Sequence, residues 1–462
     1  MLERFGWYEI IDEPALTSTR QAEALNPALV STHPPLAGPL LGVDVSTGQP
    51  QTEDPHELYA AGRVTSPNVV VLGSVGSGKS TLVKDQYVVR PVALGRQVVV
   101  FDRKDQQGRG EYGRAALVAD GTVIRFDRRG GAVVNILDPR IATKSSTDQN
   151  GTVGQDLLLL MVAEYAHGPL DSRSRHALRA AHRAALARAR TEKRTATLRD
   201  VVDALYAPDD TAVPRRELLE AGRVGVGEIF TWGMDLALDL ERFLDGDLSG
   251  LIDGPTRSEG GGELDLSAPL IVIDTSALDE DSPALSLVMA TMATYLSAVW
   301  STRPGRRLLV IEEGYHAARL PSVATIFRSL AKRGRGIGLS VVTVFHHISD
   351  VPADSDIMSL IREAGIVHVF RQDKSDDAAA AVDLFNLPRW VADELDLLDK
   401  GVHVLKIGKE PAMVVSHVRT PLEEWITDTD AAMLGVDAEE PAPFADLAAE
   451  QTEEEGTSDA IS

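Results

Sequence analysis

An α/β fold, with a parallel sheet carrying helices on both faces, is what this sequence predicts, and three observations predict it. Apolar, β-branched runs alternate with helical periodicity along residues 66–150 and again along 263–425. The first such run, Val69-Val70-Val71-Leu72, passes straight into a glycine-rich loop, and Lys79-Ser80-Thr81 then opens a helix. Between the two alternating stretches lies a block, 151–262, with helical periodicity alone.

The glycine-rich loop carries the chemistry. Gly73-Ser74-Val75-Gly76-Ser77-Gly78-Lys79-Ser80-Thr81 fits the spacing G-x-x-x-x-G-K-S/T in its strand–loop–helix context. Gly73, Gly76 and Gly78 let the backbone wrap closely and turn its N–H groups toward phosphate oxygens. Lys79 is placed to reach the β- and γ-phosphates, and Ser80 to offer its hydroxyl to Mg²⁺. The helix that follows is expected to run to about Val89, to be stopped by Pro91, and to present its positive N-terminus to the same anion. The whole run Gly73–Thr81 is the expected nucleotide-binding segment.

The remaining elements follow in order. Residues 1–65, with Pro34-Pro35 and Gly38-Pro39, read as a loop-rich lead-in with short strands, including a hairpin around Gly42-Val43-Asp44 and Glu53-Asp54. Val98–Asp102 and Thr122–Phe126 are further strands. In the helical block, 156–167, 175–193, 197–206 and 214–219 are periodic, and the block ends at Gly260-Gly261-Gly262. Leu270–Asp274 resumes the sheet. Leu285–Trp300 reads as a buried helix, with Ser282 as its N-cap and Pro283 in its first turn. A strand at 308–313, a helix at 318–333, strands at 339–345 and 366–371, and a helix at 388–398 come next. A closing hairpin spans 401–407 and 412–418.

Composition sets bounds. The 462 residues have room for two or three domains, and 44% hydrophobic content suits a large core. No cysteine is present, which excludes disulfides, thiolate metal sites and cysteine nucleophiles. A net charge of −23 argues against a surface coated in basic groups for nonspecific nucleic-acid binding. Residues 426–462 form an acidic tail, expected to be disordered. No signal peptide is visible, and Leu285–Trp300 is short of the roughly 20 apolar residues of a membrane span. A cytoplasmic protein without direct membrane insertion is the expectation.

Hydrolysis needs a carboxylate for the magnesium shell and a group to polarise water, at the C-terminal end of a nearby strand. Glu312 and Glu313, after Leu308-Leu309-Val310-Ile311, offer two carboxylates in a row. Glu312 suits the metal and Glu313 the attacking water. Asp274 is the alternative, with a plain loop-capping role as its other reading. His346-His347 read either as a functional strand end or as a solvated one, and a metal site there lacks a third ligand at recognisable spacing. The most basic region is 173–194, in the helical block. It reads as a solvated helix face or as a contact for DNA phosphates.

Taken in order, these motifs resemble a known family. They are Gly73–Ser80, Phe101-Asp102-Arg103-Lys104 with Gly110-Glu111-Tyr112, and Asn135-Ile136-Leu137-Asp138-Pro139. Ile273–Leu278, Ile311-Glu312-Glu313 and Arg333-Gly334-Arg335-Gly336-Ile337-Gly338-Leu339 complete the set. Together they resemble the conjugative type IV secretion ATPases, TraC-like motors of the VirB-operon type within the HerA/FtsK superfamily. The resemblance, over about residues 40–425, implies a P-loop NTPase of RecA-like architecture interrupted by an all-helical insertion. It implies ATP and Mg²⁺ as cofactors and a homo-hexameric ring with sites between subunits. The family's N-terminal channel-docking domain is not matched, so a separate protein is expected to link this chain to the membrane channel. One arginine of Arg333 and Arg335, read as lying in a glycine-rich turn before a strand, is implied as a finger into the neighbouring subunit's site. The plain reading of both is a charged surface turn. Two residues depart from the family: Glu312 stands where Asp is usual, and His346 stands where a Gln senses the γ-phosphate. The implied function is an ATP-driven motor of a conjugative or type IV secretion system. The alternatives are a DNA translocase outside secretion and a nucleotide-binding scaffold with weak turnover.

Overall fold

A computed structural model of the chain describes residues 38–104, 110–141, 153–209, 225–279, 282–312 and 321–428, and the architecture is built from these. Residues 1–37 of the expected lead-in, the expected helix at 214–219, Glu313 and the tail from 429 onward lie outside them.

The chain begins with the antiparallel pair β1 (Leu40–Asp44) and β2 (Pro50–Thr52), so the expected hairpin is present. Helix α1 (Pro55–Ala60) follows, with the Asp54 carboxylate accepting the N–H groups of His56 and Glu57. Then come β3 (Val69–Leu72), the composite helix α2 opened by Lys79, β4 (Gln97–Asp102), α3 (Gly113–Val118) and β5 (Thr122–Arg125). The helical block supplies α4 (Val153–His167), α5 (Ser172–Thr191), α6 (Leu198–Tyr206) and α7 (Val226–Asp245). The sheet resumes with β6 (Leu270–Asp274), α8 (Pro283–Ser301), β7 (Arg307–Ile311), α9 (Pro321–Ile337) and β8 (Leu339–Phe345). It closes with α10 (Asp356–Arg362), β9 (Ile366–Phe370), α11 (Ser375–Phe385), α12 (Trp390–Glu394), the hairpin β10 (Val402–Ile407) and β11 (Met413–His417), and α13 (Pro421–Thr427).

The eleven strands among the described residues form one sheet in the order β2-β1-β11-β10-β9-β3-β8-β7-β4-β6-β5. From β9 to β5 the neighbours are parallel. From β9 outward through β10, β11, β1 and β2 they are antiparallel. The sheet is therefore mixed rather than purely parallel, because the expected closing hairpin and the first hairpin both add to one edge. The central strands β3, β4, β6, β7 and β8 are buried almost throughout, which is why they read as unbroken apolar runs rather than as alternation.

Alternate residues of each strand feed two cores. Val69, Val71, Val98, Val100, Leu308 and Val310 pack with Leu82, Tyr87, Tyr112 and Trp425. Val70, Leu72, Phe101, Ile273 and Ile311 face the other way, toward α8–α12 and the helical block. Helix α8, the one described helix long and apolar enough to cross a bilayer, is mostly buried in this second core. Ser282 caps it and Pro283 stands in its first turn, as expected.

Four expectations are corrected. Pro91 does not stop α2. The helix runs as Lys79–Leu82, a π-helical stretch Val83–Val89 and Arg90–Ala93. The wide turn, in which the Arg90 N–H reaches the Asp85 carbonyl, loosens the coil where a Pro ring would otherwise meet the preceding turn. Helix α7 was not anticipated, because Gly227 and Gly233 weaken its helical signal. Gly233 is there for close packing: a Cβ would stand 3.0 Å from Leu205 and 3.3 Å from Ala177. Arg333 and Arg335 are not in a turn but in the last turns of α9. Gly334 is helical and buried against the Leu339 carbonyl, where a Cβ would come within 2.7 Å. Finally, the boundary drawn at 426 falls inside α13, where Trp425 and Ile426 are buried.

Candidate functional site at the C-terminal ends of the parallel strands

The loop after β3 is shaped by its neighbours. Gly73 N–H donates to the Phe345 carbonyl at the end of β8 (3.3 Å), and Ser74 N–H to Arg371 O beyond β9 (2.8 Å). Ser77 Oγ donates to Ser74 O at 2.7 Å, and Gly401 N–H donates to Ser77 O at 2.9 Å. Two glycines are conformationally required: Gly76 has φ +76° and Gly78 φ +105°. At Gly78 a Cβ would also stand 2.9 Å from the Gly401 nitrogen. Gly73 is obliged by space, since its Cβ would lie 2.5 Å from that of Phe370. Lys79 is buried, with its ammonium on the carbonyls of Gly73 and Ser74 (2.8 Å to the latter). Ser80 and Thr81 are half-buried in the first turn of α2, and Val75 is exposed at the tip.

The strand order decides which carboxylates can join this loop. β8 lies beside β3, and β7 lies beside β8. Glu312, directly after β7, is therefore two strand spacings, about 10 Å, from the β3 end. Asp274 ends β6, behind β4, at roughly twice that distance. Its side chain accepts the Ser276 N–H at 2.9 Å, which is the loop-capping role. His346 follows β8, half-buried, between the β3 loop and the β7 end. Its neighbour His347 faces the Asp377 carboxylate at 2.9 Å. Arg333 and Arg335 are exposed near the N-terminal end of β8, at the opposite end of the parallel strands from the chain's own loop.

Several residues whose roles the sequence left open meet Glu312. Tyr112 OH donates to Glu312 Oε1 at 2.6 Å, and the Tyr112 N–H donates to Asp102 Oδ2 at 3.1 Å. Lys84, buried on α2, pairs with Glu111 at 3.1 Å, and Lys104 approaches the same carboxylate at 3.6 Å. Gly110, at φ +70°, passes so close to Asp102 that a Cβ would meet its Oδ2 at 2.7 Å. Burial pushes Asp102 up to about 7, with the charges of Glu111, Asp274 and Glu312 adding to the effect. Burial likewise raises Glu312, against the opposing pull of Lys104 and Lys84. The strand-end Asp102 was the available signal in the sequence. Lys84, five residues after Lys79, had none.

The family-like run Asn135–Pro139 serves as a seam. Asn135 Nδ2 donates to Ala196 O at 2.7 Å, and Gln155 Nε2 donates to Leu137 O and Asp138 O at 2.8 and 3.0 Å. It ties the sheet edge to the helical block.

The left-handed glycines, the buried lysine and the strand order together define a P-loop NTPase fold with a helical insertion. Among solved structures, VirB4 of Thermoanaerobacter pseudethanolicus is similar over 85% of this chain and 99% of that one, at 18% identity and a TM-score of 0.66. The bacterial conjugative coupling protein TrwB, lacking its first 70 residues, is similar over 88% and 95%, at 16% identity and a TM-score of 0.50. These neighbours are of the class that the sequence motifs resemble. The sequence matches no family model, and a search of characterised proteins gives no match.

Proposed function

We propose that this chain is an ATP-hydrolysing motor of a conjugative or type IV secretion machinery. It works as a homo-hexameric ring in the cytoplasm, at the inner face of the cell membrane, with channel components of that machinery as its partners. The observation that carries the reading is the pairing of a glycine-formed phosphate loop with Glu312 two strands away, at the same end of the sheet. The fold shared with VirB4 along nearly the whole of that chain supports the secretion assignment.

In this reading, backbone N–H groups of Gly76–Lys79 and the Lys79 ammonium hold the β- and γ-phosphates. Ser80 and Glu312 would hold Mg²⁺, which screens the phosphate charge. Their hydroxyl-and-carboxylate chemistry fits a hard cation. Glu313 orients the attacking water, and His346 donates a hydrogen bond toward the γ-phosphate. Arg335, or Arg333, acts on the neighbouring subunit's nucleotide. Phosphate release by the purified chain tests this. Steady release that is abolished in Lys79→Ala is expected. A negligible native rate, unchanged in Glu313→Gln, would leave only a nucleotide-binding scaffold.

A DNA translocase outside secretion is favoured by one observation. Helix α5 presents Arg175, Arg179, Arg183 and Arg190 at the surface. Hydrolysis stimulated several-fold by duplex DNA would select it.

A further inference from the structure

Glu312 follows β7 directly, yet its carboxylate is held from another part of the chain. Tyr112 is fully buried and its hydroxyl donates to Glu312 Oε1 at 2.6 Å. The same residue's N–H donates to Asp102 Oδ2, at the end of β4. One residue thus clamps the ends of two adjacent strands. The clamp is tied in turn to the phosphate loop. Lys84 lies 5.4 Å from the Tyr112 ring centroid and pairs with Glu111, and it stands on the helix that Lys79 opens. The phenol's hold on Oε1 fixes how the carboxylate can be presented to a metal's water shell.

We propose that Tyr112 is the positioning residue that aims Glu312 at the magnesium of a bound nucleotide, with the Lys84–Glu111 pair keeping the tyrosine in register with the phosphate loop. This rests on the nucleotide-binding reading above. A carboxylate that binds metal works at full strength only when its own hydrogen bonds fix its orientation. Removing such a partner typically costs 10–100-fold in metal affinity. A merely structural tyrosine would lower stability without touching the metal requirement.

The molecule supplies its own control. Tyr87 is also fully buried, with its hydroxyl 2.7 and 2.8 Å from the oxygens of a buried carboxyl, Glu53, but it stands beside His368 of β9, three positions from β7 in the sheet. The experiment uses the full chain and a fluorescent ADP analogue. Its affinity is measured in EDTA and then across a MgCl₂ titration, with thermal melting in parallel. In Tyr112→Phe the EDTA affinity stays within twofold of native, while the Mg²⁺ midpoint rises roughly tenfold or more. Tyr87→Phe lowers the melting temperature and leaves the Mg²⁺ midpoint at its native value. Glu312→Gln also raises the midpoint, and adding Tyr112→Phe to it changes the midpoint no further, because the two residues act as one unit. A native Mg²⁺ midpoint in Tyr112→Phe, or equal shifts in the two tyrosine variants, overturns the proposal. Failure of the native chain to bind the analogue with or without Mg²⁺ is a different result, and it removes the nucleotide reading itself.

Discussion

Glu53 sits between the first hairpin and α1, fully buried against the helix that carries the phosphate loop. The Tyr87 hydroxyl of α2 lies 2.8 and 2.7 Å from its two oxygens, and His368 Nε2 of β9 lies 3.0 Å away. Burial pushes the Glu53 carboxyl up to about 8, with the Tyr87 hydrogen bond opposing. Burial pulls His368 down to about 3, with the charge of His417 adding. The folded state therefore keeps a proton on Glu53 that the unfolded chain gives up near 4.5. For a carboxyl raised in this way, the stability is fully present below the unfolded value and is lost as pH rises through the folded one. His368 acts in the opposite direction: its contribution is present above about 6.5 and is lost as pH falls toward 3. Asp102, held up near 7, also titrates between pH 6.5 and 8, so it is the comparison with a Glu53 variant across this window that isolates the glutamate. There it removes at most about 1.4 kcal/mol per pH unit, or roughly 2 kcal/mol across the window. Glu53→Gln is neutral at every pH, and its amide would accept from Tyr87 and donate to His368. Urea unfolding of native and variant at pH 6.5, 7.2 and 8.0 measures the effect. The native midpoint falls more steeply with pH than that of the variant, so the variant gains relative stability of order 1–2 kcal/mol by pH 8. Parallel profiles would refute the reasoning, since they would mean that Glu53 ionises in the folded chain as readily as in water.

Other outcomes follow from the site. Gly78→Ala places a side chain at φ +105° and against the Gly401 backbone. It should cost about 1–3 kcal/mol of stability and weaken nucleotide binding more than tenfold in a fluorescence titration. Glu313→Gln should bind ATP at native affinity and release phosphate at least a hundredfold more slowly, and native turnover would remove its assignment to the water. Arg335→Ala should lower turnover without weakening ATP binding. Because Arg335 is exposed at the opposite end of the sheet from its own loop, mixing it with Lys79→Ala subunits should restore activity to sites formed between unlike subunits. Unchanged turnover in the single variant would discard the finger.

Much of this protein is legible from local order along the chain. A strand, a glycine-rich bend and a lysine-led helix lie within thirteen residues, so Val69–Thr81 declares its fold without help from distant parts. Buried strands such as Leu270–Asp274 and Leu308–Ile311 betray themselves because both faces are covered and every residue must be apolar. Other features depended on contacts across hundreds of residues. The choice of Glu312 over Asp274 as neighbour of the phosphate loop rests on strand order, which neither local run contains. Gly334 and Gly336 look like a turn until the carbonyl packed against Gly334 reveals a helix that needs a missing side chain. Tyr112 clamps Glu312 from 200 positions earlier. Sequence alone thus determined the buried strands and the glycine-rich loop between strand and helix, because propensity and close-range spacing are local. The tertiary structure decided which side chains share the site, because parallel strands are joined by long crossovers that bring distant residues to one edge.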